Sequence, residues 1–201
     1  MNRLLSNRPI ILMIYRSDLQ LISILLLALS CNSLWAQNFY YATSRYDDRL
    51  TEWMIYDTLD QEMATLEYAG LPSDAFRSWN FRLQDRPGSV KLRWRENPNE
   101  WDLRRDQHLL SIKPVWPGQL EEWLISDGNN FFHLKLRKEY EGLRWELVNT
   151  SNDLLAYVIN DYSYDPRDWS FYYETDLNND DLCMAAFFII VQYTPVMLNR
   201  Y

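Results

Sequence analysis

The sequence predicts a mainly β protein: an antiparallel closed barrel of about twelve strands with a buried hydrophobic C-terminal helix along its axis. Three observations carry this expectation. From Asn38 to about Thr175, apolar and polar residues alternate in short runs, the period of a strand with one face in a core. Clusters of Gly, Pro, Asn and Asp interrupt these runs at regular short intervals, as hairpin turns do. Near the C-terminus the alternation gives way to ten consecutive apolar residues, Leu182 to Val191.

Phe39 to Thr43, Glu52 to Thr58 and Gln61 to Tyr68 open the series. Trp79, Phe81 and Leu83 alternate with Asn80 and Arg82, and Asp85-Arg86-Pro87-Gly88 reads as a turn. Val90, Leu92 and Trp94 alternate with Lys91, Arg93 and Arg95, and Asn97-Pro98-Asn99 reads as the next turn. Trp101 with Leu103 and Leu110 with Ile112 lead to Pro117-Gly118. Leu120 to Ile125 ends at Asp127-Gly128-Asn129-Asn130. Phe132, Leu134 and Leu136 alternate with His133, Lys135 and Arg137, and Gly142 opens Leu143, Trp145 and Leu147. Thr150 to Asp153 turns into Leu155, Tyr157 and Ile159, and Trp169, Phe171 and Tyr173 close the series. Pro72 to Phe76 reads as a connector or a single helical turn. No Pro/Ser-rich linker divides the strands, so 37–201 is expected to be one domain.

The apolar run reads as a helix over about 180–194. Asn178-Asn179-Asp180-Asp181 supplies N-capping and an acidic first turn, and Pro195 stops or kinks the helix. A helix apolar on every side has to be buried on every side. Twelve strands close into a barrel too wide for side chains alone to fill, whereas about eight strands can be filled that way. A helix is about 10–12 Å across and fits the gap. Ten apolar residues are half of the about 20 that span a bilayer, which argues against a membrane tail.

Residues 1–36 have the order of a secretory signal peptide. Arg3, Arg8 and Arg16 precede the greasy stretch Leu19 to Leu29, and Ser30 to Ala36 is small and polar. Cleavage after Ala36 is expected, and Met13 would give a more compact leader. A lesser alternative is a lipoprotein processed at Cys31, within Ala28-Leu29-Ser30-Cys31. The chain is therefore expected to be exported, to a bacterial periplasm or outside the cell. Losing 1–36 removes those three arginines and Asp18, leaving 17 basic and 27 acidic residues, net −10. Cys183 is then the single cysteine, so no disulfide forms within the mature chain. A charge of −8 for the full chain argues against nucleic acid as a partner.

Many short strands, then Trp169-Ser170-Phe171-Tyr172-Tyr173-Glu174, then an acidic cap and a last hydrophobic helix resemble the tubby C-terminal-like superfamily. The likeness is greatest to its LURP-one-related branch. There the hairpins carry a small turn followed by an apolar-Ala-apolar phrase, here Asn152-Asp153-Leu154-Leu155-Ala156-Tyr157-Val158, and Asp181-Leu182-Cys183-Met184-Ala185-Ala186 is similar to the closing helix. The resemblance covers about 39–198 and implies a twelve-stranded barrel threaded by its last helix. It implies little about activity, and the LURP-one-related branch has no settled biochemistry. Tubby proteins bind phosphoinositides and scramblases are linked to lipid movement and calcium. The leader sets this chain apart from the intracellular members.

Several residues are candidates for chemistry. Lys91, Arg93 and Arg95 on one strand, with Lys135 and Arg137 on another, could hold an anionic head group. Asp161, Asp165 and Asp168 offer hard oxygen ligands for calcium. Asp176, Asn178 and Asp180 begin like an EF-hand loop, but Asp181 and Phe187 stand where Gly and the closing Glu belong, so no cofactor is expected from them. His108 and His133 read as surface residues. The sequence has no GxSxG, HExxH, Walker loop or CxxC. Asp47-Asp48 and Glu121-Glu122 are the paired carboxylates that a hydrolase with a dispersed acid/base pair could use, and Cys183 is read as an inert buried thiol. The expectation is a non-enzymatic exported barrel binding lipid or another anionic envelope component. The alternatives are that hydrolase, with its pair in a rim pocket, and a purely structural envelope protein.

Overall fold

The computed structural model describes residues 38–70, 78–139, 142–162 and 165–198, with side chains as far as Pro195. The expected leader, its Cys31, and the connector at Pro72 to Phe76 lie outside these residues. The strands and the helix belong to one compact unit, Gln37–Tyr201.

Twelve strands form a closed barrel in which each pairs antiparallel with its neighbours in sequence. They are β1 (Tyr41–Tyr46), β2 (Arg49–Tyr56), β3 (Glu62–Tyr68), β4 (Ser78–Leu83), β5 (Arg86–Trp94) and β6 (Asn97–Arg105). The second half comprises β7 (His108–Pro114), β8 (Glu122–Ser126), β9 (Phe131–Glu139), β10 (Gly142–Asn149), β11 (Leu154–Tyr162) and β12 (Asp165–Tyr173). Closure comes from β1 against β12, with Tyr41 opposite Ser170, Ala42 opposite Trp169 and Thr43 opposite Asp168. The period-two pattern is what makes this possible, because it gives every strand an apolar face for the same interior. Trp53, Leu66, Trp79, Trp123, Trp145 and Trp169 are among the side chains fully buried there.

The helix α1 (Asp180–Leu198) fills that interior. Asn179 caps it: its side-chain oxygen accepts the Leu182 N–H at 3.0 Å and its carbonyl accepts the Cys183 N–H at 3.1 Å. Every residue from Leu182 to Val191 is buried. The contacts come from around the ring. Phe187 meets Trp53 of β2 edge-on at 5.4 Å and Phe171 of β12 at 5.5 Å. Phe188 meets Trp79 of β4 at 6.2 Å and Trp101 of β6 at 5.0 Å. Tyr193 lies 4.3 Å from Trp123 of β8, and its hydroxyl accepts the Trp101 Nε1–H at 2.8 Å. Such edge-to-face pairs add about 0.5–1.5 kcal/mol beyond area burial.

Three local details depart from the sequence reading. The helix runs past Pro195 to Leu198. Pro195 falls near its end, so the missing N–H removes one hydrogen bond without stopping the chain. The two Pro-containing turns lie earlier than their prolines suggest. Gln84 and Asp85, with φ of 47° and 66°, make the β4–β5 turn, and Pro87 already faces Arg82 within the ladder. Arg95 and Glu96 make the β5–β6 turn, and Asn97-Pro98-Asn99 belongs to β6. Finally, β11 turns Ala156, Val158 and Asn160 inward and leaves Tyr157 on the outer wall, stacked on Tyr172 at 4.9 Å and covered by the Arg144 guanidinium at 4.0 Å.

Strand alternation defines two ends. The helix enters where the β2–β3, β4–β5, β6–β7, β8–β9 and β10–β11 connections lie, and it finishes at the opposite end, among the other connections.

Candidate functional site

The outer wall is laced by cross-strand ion pairs. Arg93 Nε lies 2.9 Å from Asp102 Oδ1, which faces Lys91 across the β5–β6 ladder. Arg137 Nε lies 3.1 Å from Glu146 Oε2. Lys135 Nζ donates to Asn152 Oδ1 at 2.8 Å and sits 3.8 Å from Glu122. Lys91 and Arg95 make no ion pair among the described residues, but Arg95 belongs to the β5–β6 turn rather than to the strand face. The two basic strands, β5 and β9, are separated by three others. The five cations expected to form an anion site are thus split between two walls, and three of them are already matched by acceptors.

The three aspartates considered for calcium also go separate ways. Asp161 accepts the Ser170 hydroxyl at 2.7 Å, Asp168 accepts the Thr43 hydroxyl at 2.6 Å, and Asp165 accepts the Arg167 guanidinium at 2.8 and 3.0 Å. Among the described residues, no three His, Cys, Asp or Glu side chains converge on a point where a metal ion could be held. Calcium needs six to eight oxygens, and an arginine in the site competes with it.

At the end where the helix enters, Asp181 is 3% exposed and is held by Arg105 Nε at 2.6 Å and His108 Nδ1 at 2.8 Å. His133 Nδ1 lies 3.0 Å from Glu122 on the outer wall. Burial pushes the Cys183 thiol up to about 12, which leaves it an inert core side chain.

The cleft at the end where the helix finishes is different. It has a volume of about 570 Å³. Its floor is apolar: Leu50 from β2, Trp79 from β4, and Val191 and Pro195 from the helix. Trp79 turns its indole N–H to Gln192 Oε1 at 3.1 Å. Its mouth carries Asp47, Asp48 and Arg49 from the β1–β2 hairpin and Asp165 and Arg167 from β12. The pairing of β1 with β12 brings these segments side by side. Arg167 joins two of the carboxylates, Asp165 and Asp47, the latter 3.2 Å from Nη1. Its guanidinium holds the Asp165 carboxyl below the usual carboxylate range, and Arg167 itself is raised, chiefly by the hydrogen bond to Asp165.

No family model, curated protein or solved structure matches the chain. The site is therefore read from its own chemistry. Residues from the β1–β2 hairpin, β4, β12 and the helix meet in the cleft; the sequence singled out Asp165 as a calcium candidate and Asp47-Asp48 as a carboxylate pair without a place, and did not bring the two together. The closing register of β1 on β12 is the signal that would have found the rest.

The same end carries exposed aromatic side chains. Trp94 at the end of β5 is 57% exposed, Trp116 in the β7–β8 connection 60% and Tyr162 at the end of β11 63%. Tyr46, at the end of β1, is partly exposed and carries the Arg49 guanidinium over its ring at 4.3 Å. No helix among the described residues is long and apolar enough to cross a membrane.

Proposed function

We propose that this is an exported, non-enzymatic binding module of the tubby-like type, which holds membrane lipid or a similar envelope component at the rim where its helix ends. The observation that carries this reading is that the helix fills the axis, whereas the described residues at the rim leave a cleft. The helix occupies the interior with buried residues from Leu182 to Val191, which leaves the cleft and the aromatic hairpins around it as the accessible binding surface. Trp and Tyr combine an apolar body with a polar edge, the property that places them at membrane–water boundaries. The signal-type leader expected for 1–36 and the resemblance to the LURP-one-related branch point the same way.

The hydrolase alternative fits less well. A carboxyl that donates a proton near neutral pH needs a raised pKa. The Asp165 carboxyl is instead lowered, and Asp47 and Asp165 are tied together by Arg167 as an ion triad.

Co-sedimentation of the purified protein with phospholipid vesicles, with and without calcium, tests the reading. Binding is expected, and Trp94→Ser with Trp116→Ser should weaken it. Charge reversal of Lys91, Arg93 and Arg95 should change it little. Absence of binding to vesicles of every head-group composition would remove lipid as the partner.

A further inference from the structure

Resting on the lipid-binding reading above, we infer that the cleft selects a zwitterionic amphiphile: a ligand with an apolar chain and a head that carries one ammonium and one phosphate or carboxylate. The apolar part has a built floor in Leu50, Trp79, Val191 and Pro195. The volume of about 570 Å³ is within the range of small-molecule sites.

The charges at the mouth decide the head. Three carboxylates, Asp47, Asp48 and Asp165, face two guanidiniums, Arg49 and Arg167. Arg167 is spoken for by Asp165 and Asp47. Arg49 makes no ion pair among the described residues. Stacking on the Tyr46 ring orients it and leaves the N–H edge of its fork open to a phosphate or carboxylate. Asp48 likewise has no partner among the described residues and stands next to it at the same mouth. A single open cation beside an open anion suits a head that carries both signs. A net-anionic head would satisfy Arg49 and meet the excess carboxylate unpaired, which costs binding energy. This separates the site from a phosphoinositide site, which needs several unpaired cations.

The test uses two lysophospholipids with the same acyl chain, lysophosphatidylethanolamine and lysophosphatidylglycerol, titrated calorimetrically into the purified protein below their micelle concentrations. One equivalent of the ethanolamine lipid should bind, at least about tenfold tighter than the glycerol lipid. Arg49→Gln should weaken binding of the ethanolamine lipid about tenfold. Asp48→Asn should narrow the preference between the two heads. Both positions are exposed, and unchanged thermal midpoints verify that the variants are folded. A parallel arm with phosphatidylethanolamine vesicles separates capture of a free amphiphile from docking on a bilayer. Equal affinity for the two heads, or an Arg49→Gln protein that binds like the wild type, overturns the inference. If vesicles still bind the Arg49→Gln protein undiminished, the cleft assignment falls while the lipid reading stands. If neither monomers nor vesicles bind, both fall.

Discussion

Arg105 Nε lies 2.6 Å from Asp181 Oδ1, joining the β6–β7 hairpin to the first turn of a helix 76 residues further along the chain. Asp181 is buried, and a buried carboxylate is costly unless paired. The helix dipole favours its charge, Arg105 neutralises it, and His108 takes its second oxygen at 2.8 Å. This polar tie adds to the aromatic packing in fixing the depth of the helix, because sliding the helix along the axis would strand the charge.

Arg105→Met should therefore destabilise the protein by about 2–4 kcal/mol, since a buried carboxylate is left with only an exposed imidazole. The double variant Arg105→Met with Asp181→Asn should recover part of the loss. Urea unfolding of the two variants beside the wild type measures both effects. Equal stability of Arg105→Met and wild type would show that water replaces the arginine without cost.

Phe187 sits between Trp53 and Phe171, at 5.4 and 5.5 Å. Phe187→Ala leaves a hole that the rigid barrel wall cannot close, so the loss should be about 3–5 kcal/mol. Removing Ala185 to Val191 takes most of the buried helix residues out of the axis and should abolish cooperative folding. Thermal unfolding followed by circular dichroism checks both, and a sharp transition in the deletion variant would contradict the account of the core.

The barrel was legible because its signal is local. Each strand announces its inner face by residues two apart, as with Trp79, Phe81 and Leu83, and the helix announces its all-round burial by Leu182 to Val191. The misplaced turns at Pro87 and Pro98 show where local signals mislead. In both cases proline is accommodated inside a strand and the tight turn falls on unremarkable residues, Gln84-Asp85 and Arg95-Glu96. The basic strand faces were visible, but their neutralisation by Asp102, Glu122 and Glu146 depends on register, which alternation does not fix. The cleft depends on closure of β1 against β12, a pairing between the two most distant strands in the sequence.

Gly88 faces Phe81 across the β4–β5 ladder, and a Cβ there would stand 2.1 Å from the phenyl ring. The Phe81 ring is buried, 3% exposed, over the glycine. Gly88→Ala should cost about 1–3 kcal/mol by overpacking. Phe81→Leu in the same chain should recover part of it, because the smaller side chain makes room for the methyl. Chemical denaturation of the single and double variants decides: additive losses would mean that the two positions do not clash.

Two carboxyls at opposite ends of the barrel are shifted in opposite senses, and stability should respond to pH accordingly. Hydrogen bonding to Arg167 holds Asp165 below the ordinary value of 3.8, whereas burial, aided by the nearby Asp181, lifts Asp180 above it. Folding favours the ionised form of Asp165, so its contribution is present above the unfolded value and is lost as pH falls through the lower folded value. Folding disfavours the ionised form of Asp180. Its proton therefore stabilises the fold below the unfolded value, and that contribution is lost as pH rises through the higher folded value. At pH 7 Asp165→Asn should be less stable than wild type and Asp180→Asn more stable. Both differences should shrink in acid, that of Asp180→Asn disappearing below the unfolded value of 3.8, and that of Asp165→Asn only at lower pH. Urea midpoints at pH 7 and pH 3 read the two signs directly. Shifts in the same direction at pH 7 would mean that the two ends of the barrel do not hold their carboxyls in the opposed way described.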